Sequence, residues 1–267
     1  MAGISAEIGL CCKTVLNHHA SAVMEGNTMP IKAVLFDMFD TLVMIEKEHA
    51  FYSPAVKSMH TYLVQNGVEV SFADFRDAYI EARDALYEEA DETMEEPHFN
   101  VRVKNTLIKL GYVEDAEGCL VQGATNAFCQ EFRNYTRIDE NAAEILKQLH
   151  GKYRLGIVSN FAIPECVQKL LQDHNLDSFF EVTIISAAVN KRKPHQEIFL
   201  HAIEKLNLDP AEIVFVGDTV DADIIGPKKV GMKTIYIERR PQKELEDNKP
   251  DKIIKTLKEL PVAIQKL

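Results

Sequence analysis

The stretch Ile31-Lys32-Ala33-Val34-Leu35-Phe36-Asp37-Met38-Phe39-Asp40-Thr41-Leu42-Val43 decides how this chain is read. Lys32 is the only charge before Asp37, and the apolar run from Ala33 to Phe36 suits a parallel strand covered on both faces. Asp37 then falls just past the carboxyl end of that strand, where open α/β sheets hold their ligands. Phe39, two residues later, limits which chemistry such a site can perform.

From residue 140 onward the chain repeats the same strand signal. Leu155-Gly156-Ile157-Val158 runs into Ser159-Asn160, and Ile213-Val214-Phe215-Val216 runs into Gly217-Asp218. Strands are also expected from Glu181 to Ile185 and from Thr234 to Ile237, separated by helices near 141–150, 164–174, 196–206 and 222–230. This alternation predicts a doubly wound, Rossmann-like parallel sheet with helices on both faces. Right-handed crossovers then bring Asp37, Ser159 and Asp218 to one edge. Between the first strand and residue 140 the pattern is helical. Ser53-Pro54 reads as a helix start and Asn66-Gly67 as its end. Ser71 with Asp74 resembles a capping box, followed by Phe72, Phe75, Tyr79, Ala82 and Leu86 on one face. Helices near 98–110 and 114–134 complete a bundle of four. The expected organisation is an N-terminal extension (1–29), a core domain (30–44 and 138–267) and an inserted helical cap domain (45–137).

The 267 residues are enough for one large or two modest domains, and 46% hydrophobic residues is ordinary for a soluble globular protein. The formal net charge is −11, and the longest positive runs are Lys191-Arg192-Lys193 and Arg239-Arg240. That balance argues against nucleic acid or an anionic membrane as partner and leaves a small molecule. No apolar stretch approaches the ~18 residues of a membrane span. The five cysteines, Cys11, Cys12, Cys119, Cys129 and Cys166, are odd in number and scattered. They suggest no disulfide framework and point to a reducing, cytoplasmic location. The leader has one lysine and a short apolar run from Ile8 to Cys12, a poor secretory signal, and Met29 would be a natural start. Cys11-Cys12 and His18-His19 read as chance pairs rather than a metal site.

Singly, Asp37, Ser159, Lys193 and Asp218 each have a bland reading as a cap, a turn residue or a surface charge. Together, at the ends of consecutive parallel strands, they read as a site. Here the chain resembles the haloacid dehalogenase superfamily, subfamily I. Asp37-Met38-Phe39-Asp40-Thr41-Leu42 stands where that family has D-x-D-x-T-L. Ile157-Val158-Ser159-Asn160 matches its Ser/Thr motif, and Lys193-Pro194 through Ile198-Phe199 its lysine motif. Gly217-Asp218 through Asp223 matches its acidic motif, and the resemblance runs from residue 31 to about 260. It implies an enzyme, a phosphatase acting on a small phosphorylated metabolite through an aspartyl-phosphate on Asp37. It also implies Mg²⁺, held by Asp37, the backbone carbonyl of Phe39 and Asp218, with Asp223 as an outer ligand or brace. Thr41, Ser159, Asn160 and Lys193 would bind the substrate, Ser159 and Lys193 orienting the phosphoryl group and Thr41 also supporting the loop. Asp221 receives no role.

The departure is Phe39. Family phosphatases carry there a second aspartate, the general acid for the leaving oxygen. Asp40 lies one residue too late, and a slipped register would lose the Thr41 match. General acid–base help is typically worth about 10²–10⁴-fold. Its loss predicts a slow phosphatase, a substrate with a good leaving group, or an acid from the cap, for which His49, His60 and His98 are candidates. A 2-haloacid dehalogenase is the rival, since that branch often has an aromatic residue here and needs no leaving-group acid. Against it stand the retained Asp218 and the lack of an early cap arginine, the first being Arg76. A phosphonate hydrolase would need Lys47 or Lys57 for a Schiff base. A catalytically weak phospho-ligand-binding protein is the non-enzyme alternative.

Overall fold

The computed structural model describes residues 29–46, 50–239 and 248–267. Cys11, Cys12, His18, His19, Lys47, His49 and Arg240 lie outside the described residues. The central sheet is parallel, with the strand order β5-β4-β1-β6-β7-β8. Its strands are β1 (Ala33–Phe36), β4 (Arg154–Ser159), β5 (Val182–Ile185), β6 (Ile213–Gly217), β7 (Lys233–Ile237) and β8 (Lys252–Ile254). β1 pairs with β4 on one side and β6 on the other, Phe36 standing opposite both Ile157 and Val216. All four residues of β1 are buried, as an uninterrupted apolar run requires in a sheet covered on both faces. The doubly wound α/β class expected from the strand–helix alternation is the one observed.

A short antiparallel pair, β2 (Val43–Ile45) with β3 (Thr136–Ile138), stands where the chain leaves the sheet layer and returns. Between them lie α1 (Tyr52–Gln65), α2 (Phe72–Thr93), α3 (Phe99–Lys109) and α4 (Cys119–Arg133), with α1 packed on α4 and α2 on α3. Ser71 caps α2 as expected: its hydroxyl accepts from Asp74 N and donates to Asp74 Oδ2 at 2.6 Å. Asn66 ends α1, and Gly67 follows at φ +93°, a backbone that glycine adopts without cost. The start of α1 differs from expectation. The helix begins at Tyr52, and its first bond runs from Ala55 N to Phe51 O, 2.9 Å. Pro54 is thus inside the first turn, where its missing N–H would be unpaired anyway. The Phe51 ring lies 4.7 Å from that of Phe132, so tertiary packing fixes the entry.

The remaining helices flank the sheet: α5 (Ala142–Leu149), α6 (Pro164–Asp173), α7 (Ser186–Val189), α8 (Gln196–Leu206), α9 (Gly226–Lys229) and α10 (Leu260–Ile264). The segment expected as a short helix near 222–230 is a π-helical turn over Val220–Ile225 that runs into α9. The cysteine reading needs correction. Cys129 on α4 and Cys166 on α6 are joined as a disulfide, with Cα atoms 5.8 Å apart. Only the fold brings together residues 37 positions apart. Among the described residues no helix is long and apolar enough to cross a membrane.

Candidate active site

The carboxyl ends of β1, β4 and β6 and the loop after α7 meet at one edge of the sheet. Asp37 leaves β1 with its amide donating to Val216 O at 2.9 Å, and its residue is 8% exposed. Lys193 is buried, and its Nζ donates to Asp37 Oδ1 and to Asp223 Oδ1, each at 2.7 Å. Asp223 sits on the π-helical turn, its other oxygen accepting from Thr219 N at 2.9 Å. Ser159 ends β4; it is buried, and its Oγ has no hydrogen-bond partner among the described residues. These groups, with Asn160 and the buried Asp218, line one cavity of about 260 Å³.

Gly217 makes the close approach of Asp223 possible, because a Cβ there would fall inside the Asp223 carboxyl group. Gly217→Ala is expected to displace Asp223 from Lys193. Overpacking of this kind typically costs about 1–3 kcal/mol. A lowered Tm together with an at least ~10-fold slower turnover, by the loss of fixed charge at the site, would show it. An alanine variant as active and as stable as the parent would contradict this packing.

Three strand ends and the Lys193 loop converge here, with the lysine fixed between two acids. The sequence model of the haloacid dehalogenase-like hydrolase family matches residues 31–231. This chain belongs to that family. It is similar to the glyceraldehyde 3-phosphate phosphatase of Pyrococcus abyssi, 31% identical over 207 residues that make up 77% of this chain and 81% of the relative. The protein of the same name from Methanopyrus kandleri is 28% identical over 224 residues, 84% of this chain and 91% of the relative. Among solved structures, a 2-haloacid dehalogenase from Pseudomonas syringae pv. Tomato superposes with a TM-score of 0.69 at 21% identity, covering 88% of this chain and 99% of that one. At that identity the likeness speaks for the fold alone.

The electrostatics of this haloacid dehalogenase-like site follow from its burial. Asp37 is pushed up to about 6, chiefly by burial and further by Asp223, while Lys193 pulls it down. Burial lowers Lys193, but Asp223 and Asp37 outweigh it and hold the ammonium above the ordinary lysine range. Asp37, Asp218 and Asp223 can each offer one oxygen within 4.8 Å of the others. Three carboxyl groups thus share this buried site with one ammonium, and burial with Asp223 opposes ionisation of Asp37. Such a set of oxygen donors fits a hard divalent cation.

Several expected residues are placed elsewhere. Thr41, expected among the substrate-binding residues, is fully buried and does not line the cavity. Asn160 lines the cavity and its side-chain amide braces Lys193: Nδ2 donates to Lys193 O at 2.9 Å, and Oδ1 accepts from Lys193 N at 2.7 Å. Its side chain therefore positions the lysine while it lines the cavity, with one N–H of the amide not used by Lys193. Phe39 lines the cavity, and its ring centre lies 4.7 Å from that of Phe161 and 5.7 Å from that of Phe132. Asp40 has a left-handed backbone, φ 56°, and its carboxylate accepts from Ile45 N at 3.2 Å. His60 faces Val70 O at 3.0 Å, and His98 faces Glu165 at 3.0 Å; neither lines the cavity. Arg76 is exposed and paired with Asp77, and Lys57 is exposed.

Arg239 was missed. Its Nε donates to Asp40 O at 3.0 Å, while Nη2 donates to Thr41 O at 2.9 Å and to Asp139 Oδ2 at 2.8 Å. It thus ties the loop after Asp37 to the return of the chain from the helical insertion. No motif marks a side chain whose target is 198 residues away.

Proposed function

We propose that this hydrolase is a Mg²⁺-dependent phosphatase of a small phosphate monoester. The observation that carries the reading is the Lys193 ammonium held 2.7 Å from both Asp37 and Asp223 in a buried site. Phosphoryl transfer needs a positioned nucleophile and fixed charge around the equatorial oxygens more than covalent assistance. The ionised Asp37 oxygen attacks phosphorus, the ester oxygen departs, and water then cleaves the aspartyl-phosphate to regenerate Asp37. Lys193 and the unpartnered Ser159 hydroxyl are suited to bind phosphoryl oxygens, and Asn160 and Asp223 hold the lysine in place. Bound through Asp37, Asp218 and the Phe39 carbonyl, with Asp223 behind them, Mg²⁺ would neutralise charge on the phosphoryl group. The names of the archaeal relatives favour a phosphorylated metabolite. Residues 45–137 would act as a cap that covers this site.

The test is hydrolysis of p-nitrophenyl phosphate by the full chain with Mg²⁺ and with a chelator. Because p-nitrophenolate departs without a proton, the absence of an acid at position 39 matters little. Turnover that requires Mg²⁺ is expected, and none under either condition would refute the reading.

Phe39 is the one feature that favours a second reading, 2-haloacid dehalogenation, in which Asp37 would displace halide from carbon. The buried acidic pair Asp218 and Asp223 beside Asp37 has no use in that displacement. No halide release from 2-chloropropionate is expected.

A further inference from the structure

Beside the reaction cavity lies a larger one, of about 480 Å³, between the helical insertion and the loop after β4. Asn160 lines both cavities, and the Phe161 ring in the larger one lies 4.7 Å from Phe39 in the smaller. A leaving group on a phosphoryl centre held at Asp37 would therefore extend into this space. Its walls are largely aromatic: Phe51, Tyr52, Phe99, Phe128 and Phe161. At ~30 Å³ per water, it holds on the order of ten to twenty waters. A three-carbon leaving group would leave most of it wet.

One wall residue needs a reason to be there. Arg102, from α3, is 7% exposed, and its Nε has no hydrogen-bond partner. Its guanidinium lies 5.0 Å from the Tyr87 and Phe99 ring centres and 5.9 Å from that of Tyr79, and Nη1 donates to Tyr79 Oη at 3.3 Å. Among the described residues it forms no ion pair. Asp91 and Glu96 also line the cavity, but Asp91 is exposed and Glu96 accepts from Ser186 Oγ at 2.6 Å. Ring faces and the two phenols of Tyr79 and Tyr87 return only part of what a guanidinium loses when it leaves water. A purely structural strut at this position would be better served by an apolar side chain or by a carboxylate partner.

We propose that this cavity is the leaving-group subsite, and that it selects phosphate monoesters whose leaving group is flat and apolar and ends in an anionic group, a carboxylate or a second phosphate, paired with Arg102. The aromatic walls take the flat segment, and the fork of the guanidinium takes the anion. This inference rests on the phosphatase reading above and goes beyond the three-carbon substrate named for the relatives.

The test compares kcat/KM for 4-carboxyphenyl phosphate, 1,4-phenylene bisphosphate and the neutral near-isostere 4-carbamoylphenyl phosphate, in the full chain and in Arg102→Gln. p-Nitrophenyl phosphate is run in parallel. A preference of tenfold or more for an anionic substrate over the carbamoyl compound, falling to near parity in Arg102→Gln, is expected; which anion is favoured identifies the group. Differences in leaving-group acidity cancel when the variant's ratio is compared with the parent's. Turnover of p-nitrophenyl phosphate without any such preference, or with a preference that survives in the folded variant, overturns the subsite and leaves the phosphatase reading intact. No turnover of any ester removes both. Should Arg102→Gln not fold, inhibition of the parent decides. A Ki for 4-hydroxybenzoate at least tenfold below that for 4-hydroxybenzamide supports the inference, and equal values overturn it.

Discussion

Asp37→Asn is expected to abolish p-nitrophenyl phosphate hydrolysis, by at least ~10³-fold as removal of a covalent nucleophile typically does, and to leave the metal-free protein more stable at neutral pH. The first half follows from chemistry: a carboxamide oxygen cannot displace the ester oxygen and become a free carboxylate again. The second half follows from burial. In the folded, metal-free protein Asp37 titrates near 6 against 3.8 as its ordinary value, because burial and Asp223 together outweigh Lys193. The folded state therefore holds this proton more tightly than the unfolded chain. Its stabilising contribution is complete below about 3.8 and is lost as pH rises through about 6. Above that the folded protein carries the full penalty of an ionised Asp37, on the order of 1–3 kcal/mol. Asparagine is neutral throughout. The variant should melt several degrees higher than the parent at pH 7–8 in chelator, and the difference should vanish near pH 4. Adding Mg²⁺ should raise the Tm of the parent more than that of the variant, because only the parent supplies the third carboxylate. Retained activity in the variant would dismiss Asp37 as nucleophile. A variant less stable than the parent at pH 8 in chelator would dismiss the electrostatic account.

The parts of this site that could be read from sequence are those carried by local pattern. Short apolar runs bounded by turn residues and alternating with helices suit doubly covered parallel strands, which places the residues after Phe36, Val158 and Val216 at one edge. Ser71 and Asp74 sit three apart, and the cap they form needs nothing from the rest of the chain. The residues that could not be read are those whose partners are distant. Arg239 reaches the loop after Asp37 only because β7 lies two strands from β1. The pairing of Cys129 with Cys166 depends on α4 lying against α6. The bracing of Lys193 by the Asn160 amide becomes evident only once the two loops are adjacent. The helix start at Tyr52 rather than Ser53 shows packing overriding a local signal, since Phe51 and Tyr52 are drawn into the aromatic cluster with Phe128 and Phe132.

Phe39→Asp addresses the one position where the chain departs from its family. The variant is expected to hydrolyse alkyl phosphates faster, by about 10²-fold at the lower end of what general acid catalysis supplies, with little change on p-nitrophenyl phosphate. An alkoxide cannot leave without a proton, whereas p-nitrophenolate can. The shorter side chain starts from a residue that already lines the reaction cavity, so a carboxyl group there is within reach of the departing oxygen. Its surroundings favour the protonated form. Phe132 and Phe161 are apolar neighbours, and Asp37 and Asp218 share the cavity, so both desolvation and like charge oppose ionisation. An acid that stays protonated near neutrality is what leaving-group protonation requires. The change also has a stability cost. Phe39 surrenders its ring contacts with Phe132 and Phe161, and for a half-buried phenylalanine the loss should lie below the ~3–5 kcal/mol of a fully buried one. The ratio of alkyl to aryl turnover is therefore the readout, because a partly unfolded sample lowers both rates together and leaves the ratio unchanged. A ratio that rises with the fold intact assigns the slow step of the parent to the unprotonated leaving group. An unchanged ratio means that Phe39 does not stand where the acid would act, and that the parent obtains the proton from another group or selects esters that need none.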